Sequence, residues 1–146
     1  MNYNSVEILF AEDSIDDATL TLHALKKGGI SNIIFHVKDG TEAIDFMYCQ
    51  GSYKDRDINN KLKLILLDLK MPKISGIEVL EKIRSDSRFA TIPLVILTSS
   101  NLDPDIERCY KLGANSYIVK PVESEIFFKT IENLGCYWLT LNQIPQ

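Results

Sequence analysis

The sequence has few of the residues that cross-link a chain or interrupt its folding. It contains three cysteines, five prolines and seven glycines in 146 residues. Cys49, Cys109 and Cys136 are widely spaced, form no CxxC pair and have no histidine nearby in a metal-ligand spacing. We therefore predict three buried free thiols and no zinc site. Because glycine and proline are scarce and 45% of the residues are hydrophobic, a disordered chain is excluded.

Long apolar runs and an excess of positive charge are also absent. No run approaches the roughly 18 apolar residues that a membrane-spanning helix needs, and the first residues do not resemble a secretory signal. The formal net charge of −4 argues against nucleic acid as the main partner. We expect one cytoplasmic domain over residues 1–146 that binds neither membrane nor nucleic acid.

Five short and nearly continuous apolar runs alternate with segments of helical periodicity. The runs cover residues 6–11, 33–37, 64–67, 94–97 and 117–119. Such runs are typical of strands in a parallel sheet that is buried on both faces. Ile15, Ala18, Leu22 and Leu25 mark the apolar face of the first helix.

This alternation predicts an α/β fold, a flavodoxin-like (βα)5 doubly wound sheet with five parallel strands in the order 2-1-3-4-5. The polar segment from Gly51 to Lys61 is interpreted as a solvated surface loop.

Polar side chains follow four of the predicted strands. Glu12-Asp13 follow the first, Asp68 the third, Thr98 the fourth and Lys120 the fifth. Function in an open α/β sheet lies at the carboxyl ends of the strands, and strands one and three flank the point where the strand order reverses. We therefore expect three carboxylates, a hydroxyl and an ammonium group to converge there.

Three neighbouring carboxylates repel one another unless protons or a cation neutralise them. Mg²⁺ suits this set, since it takes one or two carboxylates together with waters and phosphate oxygens. Lys120 and Thr98 could then bind phosphoryl oxygens. The residues predict a phosphoryl-transfer site that works by positioning and charge.

Several short motifs of the sequence match the motifs of a known protein family. They are Glu12-Asp13, Asp68-Leu69-Lys70-Met71-Pro72, Ser75-Gly76, Thr98-Ser99, Gly113-Ala114 and Tyr117-Ile118-Val119-Lys120-Pro121. With them the sequence resembles the receiver domain of bacterial two-component response regulators, from about Val6 to Trp138.

The resemblance implies a role for each acidic residue. Asp68 would be the phosphoacceptor that attacks a phosphohistidine of a sensor histidine kinase and carries an aspartyl phosphate. Asp13, Asp68 and the backbone carbonyl of Lys70 would ligate Mg²⁺ directly, and Glu12 would reach the metal through water.

The resemblance also implies the switch. Lys120 would bind a phosphoryl oxygen, Thr98 would move toward the phosphoryl group and the ring of Tyr117 would turn inward. Pro121 would follow a cis peptide bond. The chain would catalyse only its own phosphotransfer and autodephosphorylation, because Lys70 stands where a dehalogenase-type phosphatase carries a second aspartate.

Several alternatives remain open at this stage. A phosphate shuttle that passes the group to a histidine phosphotransfer protein would have the same sequence features. A structural receiver-like module and a flavin-binding flavodoxin are less well supported, because the acceptor Asp68 and Lys120 are both present and Glu12-Asp13 would repel a phosphate without a metal.

The C-terminal segment, at about residues 135–146, is apolar for a chain end. Trp138 and Leu139 either pack on the last helix or form a homodimer contact, together with the fourth helix, the fifth strand and the fifth helix. This segment and the loop before strand three resemble regulators that pair with phytochrome-type sensor kinases.

Overall fold

Five parallel strands form a single sheet in the order β2-β1-β3-β4-β5, as predicted. The computed structural model describes residues 2–145. The strands are β1 (Ile8–Ala11), β2 (Ile34–Val37), β3 (Leu64–Leu67), β4 (Leu94–Thr98) and β5 (Ser116–Val119). The helices that connect or follow them are α1 (Ile15–Lys27), α2 (Gly40–Met47), α3 (Gly76–Arg84), α4 (Asp103–Leu112) and α5 (Ser124–Cys136).

The three central strands are buried at every residue, whereas the edge strands β2 and β5 are mostly half-buried. Successive side chains of a strand point to opposite faces. In β1, Leu9 and Ala11 therefore join the core beneath α2 and α3, while Ile8 and Phe10 join the core beneath α1 and α5. The nearly continuous apolar runs reflect this burial on both faces.

Two apolar side chains at the ends of helices are exposed, and one of them contradicts the prediction of three buried thiols. Ile15 is 69% exposed, because it is the first residue of α1 and that end of the helix lies past the last residue of β1. Of the three thiols only Cys109 is fully buried, and Cys136 is exposed. Cys136 is the last residue of α5, where it follows the buried Leu134 and Gly135 onto the solvent side.

The loop from Gly51 to Lys61 is mostly exposed to solvent, as predicted, but Tyr53 and Arg56 are buried within it. Tyr53 is 6% exposed, and its ring lies edge-on to Phe46 at 5.2 Å between centroids. The Arg56 guanidinium is 4.3 Å from the Phe46 ring centroid and donates a hydrogen bond to the Phe46 carbonyl oxygen at 3.1 Å. The sequence did not reveal this packing. The side chains of tyrosine and arginine can bury their apolar parts while their polar ends form hydrogen bonds.

The C-terminal segment continues α5 as a π-helical turn, Tyr137–Leu141. Trp138 and Leu139 pack against the core between α1 and α5, whereas Tyr137 and Leu141 are exposed. Trp138 and Leu139 are thus partly buried within this chain. Gln146 lies outside the described residues. Within residues 2–145, no helix combines the length and the apolar character that crossing a membrane requires.

Candidate functional site

The acidic residues lie side by side at the carboxyl end of the sheet. The Asp68 N–H donates to the Ala11 carbonyl oxygen at 3.1 Å, and the Glu12 N–H donates to the Val37 carbonyl oxygen at 3.0 Å. These bonds extend the parallel ladder by one residue and fix both side chains at its edge. One carboxylate oxygen from each of Glu12, Asp13 and Asp68 lies within 4.8 Å of the others.

This cluster has the donor set of a site for a hard divalent cation. Glu12 is 1% exposed and Asp68 is buried, while Asp13 is exposed and leaves one side open to solvent. Burial raises the pKa of Glu12 to about 8, and the neighbouring Asp68 adds to this rise against the opposing charge of Lys120. A bound cation would offset the cost of holding a charge on the buried Glu12 carboxylate. Oxygen donors of this kind fit Mg²⁺ or another hard divalent ion.

Lys120 reaches into the acidic cluster from the end of β5. The backbone N–H of Lys120 donates to the Thr98 carbonyl oxygen at 2.7 Å, so the backbone pairing of β4 and β5 continues through this residue. The ammonium Nζ lies 2.5 Å from Glu12 Oε1, 2.9 Å from Asp17 Oδ2 and 3.3 Å from Asp68 Oδ2. Burial works to lower the pKa of Lys120, but the hydrogen bonds to Glu12 and Asp17 and the charge of Asp68 raise it further than burial lowers it.

The expected cis peptide bond before Pro121 is absent. Residues 2–145 contain no cis peptide bond. The trans form is the more stable one for most X–Pro bonds. Lys120 contacts the carboxylates through a trans bond, so its direction follows from the pairing of β5 with β4.

Thr98 stands at the end of β4 with a hydroxyl that lacks a partner. The residue is fully buried, and Thr98 Oγ1 makes no hydrogen bond to the described residues. A buried hydroxyl without a partner costs roughly 1–3 kcal/mol. An oxygen atom delivered to this end of the sheet would satisfy it.

Tyr117 is tied to the loop that follows Thr98. Its hydroxyl donates to the Ser100 carbonyl oxygen at 2.9 Å. The Ser100 hydroxyl in turn donates to Asp105 Oδ2 at 2.6 Å, in the first turn of α4. The half-buried ring is thus linked to both β4 and α4.

The Lys70 side chain is exposed, and the Lys70 backbone N–H donates to Asp68 Oδ1 at 3.4 Å. The loop after Asp68 is closed by Gly76, whose N–H donates to the Leu69 carbonyl oxygen at 2.8 Å. A Cβ atom on Gly76 would lie 2.0 Å from the Asp68 carbonyl oxygen. The start of α3 therefore needs glycine in order to approach the backbone of Asp68 so closely.

The structure brings Glu12, Asp13, Asp68 and Lys120 together and places Thr98 beside Lys120 through their backbone pairing. Sequence reasoning missed Asp17 and Asp105. Asp17 lies three residues after Ser14, and an acid at that spacing is expected to cap the helix. Asp17 does have its N–H capped by the Ser14 hydroxyl, at 3.3 Å, but its carboxylate contacts Lys120 instead.

A doubly wound sheet that gathers buried carboxylates, a lysine and an unpartnered threonine at its carboxyl edge defines a phosphoryl-transfer switch. The chain belongs to the response regulator receiver domain family, which matches residues 8–132. It is a receiver of the kind that acts in two-component phosphorelay signalling.

Three relatives illustrate the match. The probable methanogenesis regulatory protein FilR2 of Methanothrix harundinacea is 35% identical over 94% of this chain and 86% of its own length. The response regulator Rcp1 of a Synechocystis species is 35% identical over 94% of this chain and 92% of its own. The crystal structure of Mn²⁺-bound Rcp1 superposes with a TM-score of 0.89, at 34% identity, over 95% of this chain and 98% of that one.

The phosphorylated cyanobacterial phytochrome response regulator RcpA is the third relative. Its crystal structure superposes with a TM-score of 0.88 at 32% identity, over 97% of this chain and 99% of that one. The chain therefore resembles the regulators associated with phytochromes over nearly its whole length.

Proposed function

We propose that Asp68 is the phosphoacceptor of this receiver. The observation that carries the proposal is the convergence of Lys120 Nζ with the carboxylates of Glu12 and Asp68, beside the open side at Asp13. An oxygen of Asp68 attacks the phosphorus of a phosphohistidine, a P–O bond forms, and the P–N bond breaks with its electron pair returning to the imidazole. The product is an aspartyl phosphate.

Each of the chain's own residues has a task in this transfer. Asp13 and Asp68, with the Lys70 carbonyl, would hold Mg²⁺ directly, and Glu12 would hold it through water. The ion would neutralise phosphoryl charge. Lys120 pairs with one phosphoryl oxygen, and the unpartnered Thr98 hydroxyl donates to another. These contacts add positive charge and donors where the transferred group carries negative charge.

The chain acts on its own phosphoryl group only. It is not an independent phosphatase, since the residue two positions after Asp68 is the exposed Lys70 and not the second aspartate that a dehalogenase-type phosphatase uses as its general acid. Phosphotransfer to Asp68 and its hydrolysis are the whole of its chemistry.

The phosphodonor is a sensor histidine kinase, and the similarity to Rcp1 and RcpA favours a phytochrome-type kinase. A histidine phosphotransfer protein is the alternative partner of the same chemistry. Phosphorylation would reach the surface of α4, β5 and α5 through Tyr117. Three large hydrophobic side chains are exposed, that of Val119 in β5 and those of Tyr137 and Leu141 in the segment after α5. Their exposure supports a protein-binding or homodimer surface.

The decisive experiment is chemical labelling. The protein is incubated with acetyl phosphate and Mg²⁺, and the modified residue is located by mass spectrometry of trapped peptides. We expect one phosphoryl group on Asp68, no labelling of Asp68→Asn, and loss of labelling when Mg²⁺ is chelated. Labelling of Asp68→Asn at the full rate, or at a different residue, would contradict the proposal.

A further inference from the structure

The ammonium group of Lys120 has no free donor in this structure. A lysine ammonium carries three N–H donors. Three carboxylates accept from it, those of Glu12, Asp17 and Asp68, at 2.5, 2.9 and 3.3 Å. A phosphoryl oxygen on Asp68 must therefore compete with the carboxylates of Glu12 and Asp17 for a donor of Lys120.

The three carboxylates differ in how easily they can leave. The side chain of Glu12 is 1% exposed and that of Asp68 is 8% exposed, so neither can turn toward bulk water. The side chain of Asp17 is 42% exposed. Water can replace its contact with Lys120, because a partly exposed ion pair contributes little net stability. Of the two carboxylates that are not phosphorylated, Asp17 is therefore the one that can move away more easily when a phosphoryl group on Asp68 approaches Lys120.

Local structure keeps Asp17 in this competing position. Its N–H donates to the Ser14 hydroxyl at 3.3 Å, and its carbonyl oxygen accepts from the Thr21 hydroxyl at 2.7 Å. Both bonds hold the backbone of the first turn of α1. The carboxylate points from this turn to the end of β5, on one side of a cavity of about 260 Å³ that Lys120, Ser99 and Ser124 also line.

We propose that Asp17 is a positioning residue that holds Lys120 in the unphosphorylated receiver and competes with the phosphoryl group for it. The inference rests on the proposed function of Asp68 and Lys120. Asp17 lowers the affinity of the site for a phosphoryl group in two ways. It occupies a donor of Lys120, and its negative charge lies 2.9 Å from the atom that the phosphoryl oxygen must approach.

The test compares two neighbouring aspartates in the same helical turn. Asp16 and Asp17 are both first-turn acids of α1, but of these two residues Asp17 alone forms an ion pair with Lys120. Asp16→Asn therefore matches Asp17→Asn in charge and in its effect at the helix N-terminus. Affinity for beryllofluoride, a phosphoryl analogue, is measured by calorimetry at saturating Mg²⁺ for the wild type, Asp16→Asn, Asp17→Asn and Asp17→Glu.

We expect Asp17→Asn to bind beryllofluoride about two- to fivefold more tightly than the wild type, as the loss of a weak competing ion pair predicts. Asp16→Asn should match the wild type, and Asp17→Glu should restore most of the wild-type affinity. Equal affinities for the two Asn variants would show that Asp17 only supports the helix. Weaker binding by Asp17→Asn would show that Asp17 assists the phosphoryl state. Either result would overturn the inference.

A second measurement needs no phosphoryl group. Hydrogen exchange of the Lys120 ammonium protons, followed by ¹⁵N NMR, should be faster in Asp17→Asn than in Asp16→Asn, because one acceptor has been lost. Equal exchange rates would contradict the contact on which the inference depends. If the wild type bound no beryllofluoride while Lys120 exchange still responded to Asp17→Asn, the proposed function would fail and the ion pair would stand.

Discussion

The hydroxyl of Tyr117 donates a hydrogen bond to the backbone carbonyl oxygen of Ser100, at 2.9 Å. This bond joins β5 to the loop after β4, and Ser100 is joined to α4 through Asp105. The position of the ring is thus coupled to the loop that directly follows Thr98. A shift of Thr98 toward a phosphoryl group would act on Tyr117 through this loop, a local change that biases a two-state element.

Removing the Tyr117 hydroxyl should loosen this coupling. We expect Tyr117→Phe to reduce the free energy of unfolding by about 0.5–1.5 kcal/mol, the usual net value of one hydrogen bond. Urea denaturation measures the change. Tyr110→Phe on α4 is the control, since Tyr110 is exposed and its hydroxyl makes no hydrogen bond to the described residues, and it should change stability by less. Equal effects of the two variants would contradict the role of the bond.

The unpartnered hydroxyl of Thr98 leads to a prediction of opposite sign. Thr98→Val should stabilise the unphosphorylated protein by about 1 kcal/mol, because it removes a buried polar group without a partner. The same variant should bind beryllofluoride more weakly. Thr21→Val is the matched control, since the buried Thr21 hydroxyl donates to Asp17, and it should destabilise the protein. Destabilisation by both variants, in urea denaturation, would show that Thr98 has a partner in solution.

Bound metal should stabilise the fold. At one hundred times its Kd, Mg²⁺ would add about 2.7 kcal/mol to the free energy of unfolding, and chelation would remove this gain. Thermal unfolding against metal concentration gives the affinity. Asp13→Asn should lower it strongly, whereas Asp16→Asn, outside the cluster of Glu12, Asp13 and Asp68, should lower it only slightly. An unchanged affinity in Asp13→Asn would contradict the assignment of the ligands.

We predict that Lys70 affects the lifetime of the aspartyl phosphate proposed on Asp68. Lys70 lies two residues after Asp68 and has an exposed side chain, which could border the path of an attacking water. We expect Lys70→Asn to hydrolyse its acyl phosphate at a different rate, with the shorter side chain opening the path and speeding the reaction. The rate is followed after the phosphodonor is removed. Lys73→Asn is the control, because it makes the same charge change on a nearby exposed residue. Lys73 has a positive φ, a conformation that asparagine tolerates. This variant should leave the hydrolysis rate unchanged. A rate in Lys70→Asn equal to that of the wild type would end the hypothesis.

Gly76 should tolerate no side chain. Because its Cβ would fall 2.0 Å from the Asp68 carbonyl oxygen, Gly76→Ala must shift the backbone of the acceptor loop. We expect a loss of about 1–3 kcal/mol in stability, as for other overpacked sites, and slower phosphorylation. Gly28→Ala is the control, since its Cβ would meet nothing closer than 3.4 Å. Denaturation curves and acetyl phosphate kinetics measure both effects, and a Gly76→Ala protein with normal stability would contradict the geometry.

The strand order and the edge that carries the site were predictable from the sequence. In a chain where strands alternate with helices, continuous apolar runs are typical of the strands of a parallel sheet that is covered by helices on both faces. Once the strands are located, the residue after each strand must lie at the carboxyl edge. Glu12, Asp68 and Lys120 could therefore be placed near one another without coordinates.

Burial outside the sheet was harder to predict. Ile15 belongs to an apolar stripe but lies past the end of its strand, and Tyr53 and Arg56 belong to a polar segment but pack on Phe46. A periodic pattern shows which side of an element is apolar, but it does not show how far the neighbouring element extends beneath it. That depends on how the elements pack.

The sequence by itself therefore determined the topology and the members of the acidic site, because both follow from local patterns and from the geometry of parallel strands. Only the tertiary structure decided which partner each charged side chain takes. Asp17 lies 103 positions from Lys120, and Ser100 lies 17 from Tyr117. No local pattern links residues so far apart in the chain, and their distance in space is set by the packing of α1 and β5 at the edge of the sheet.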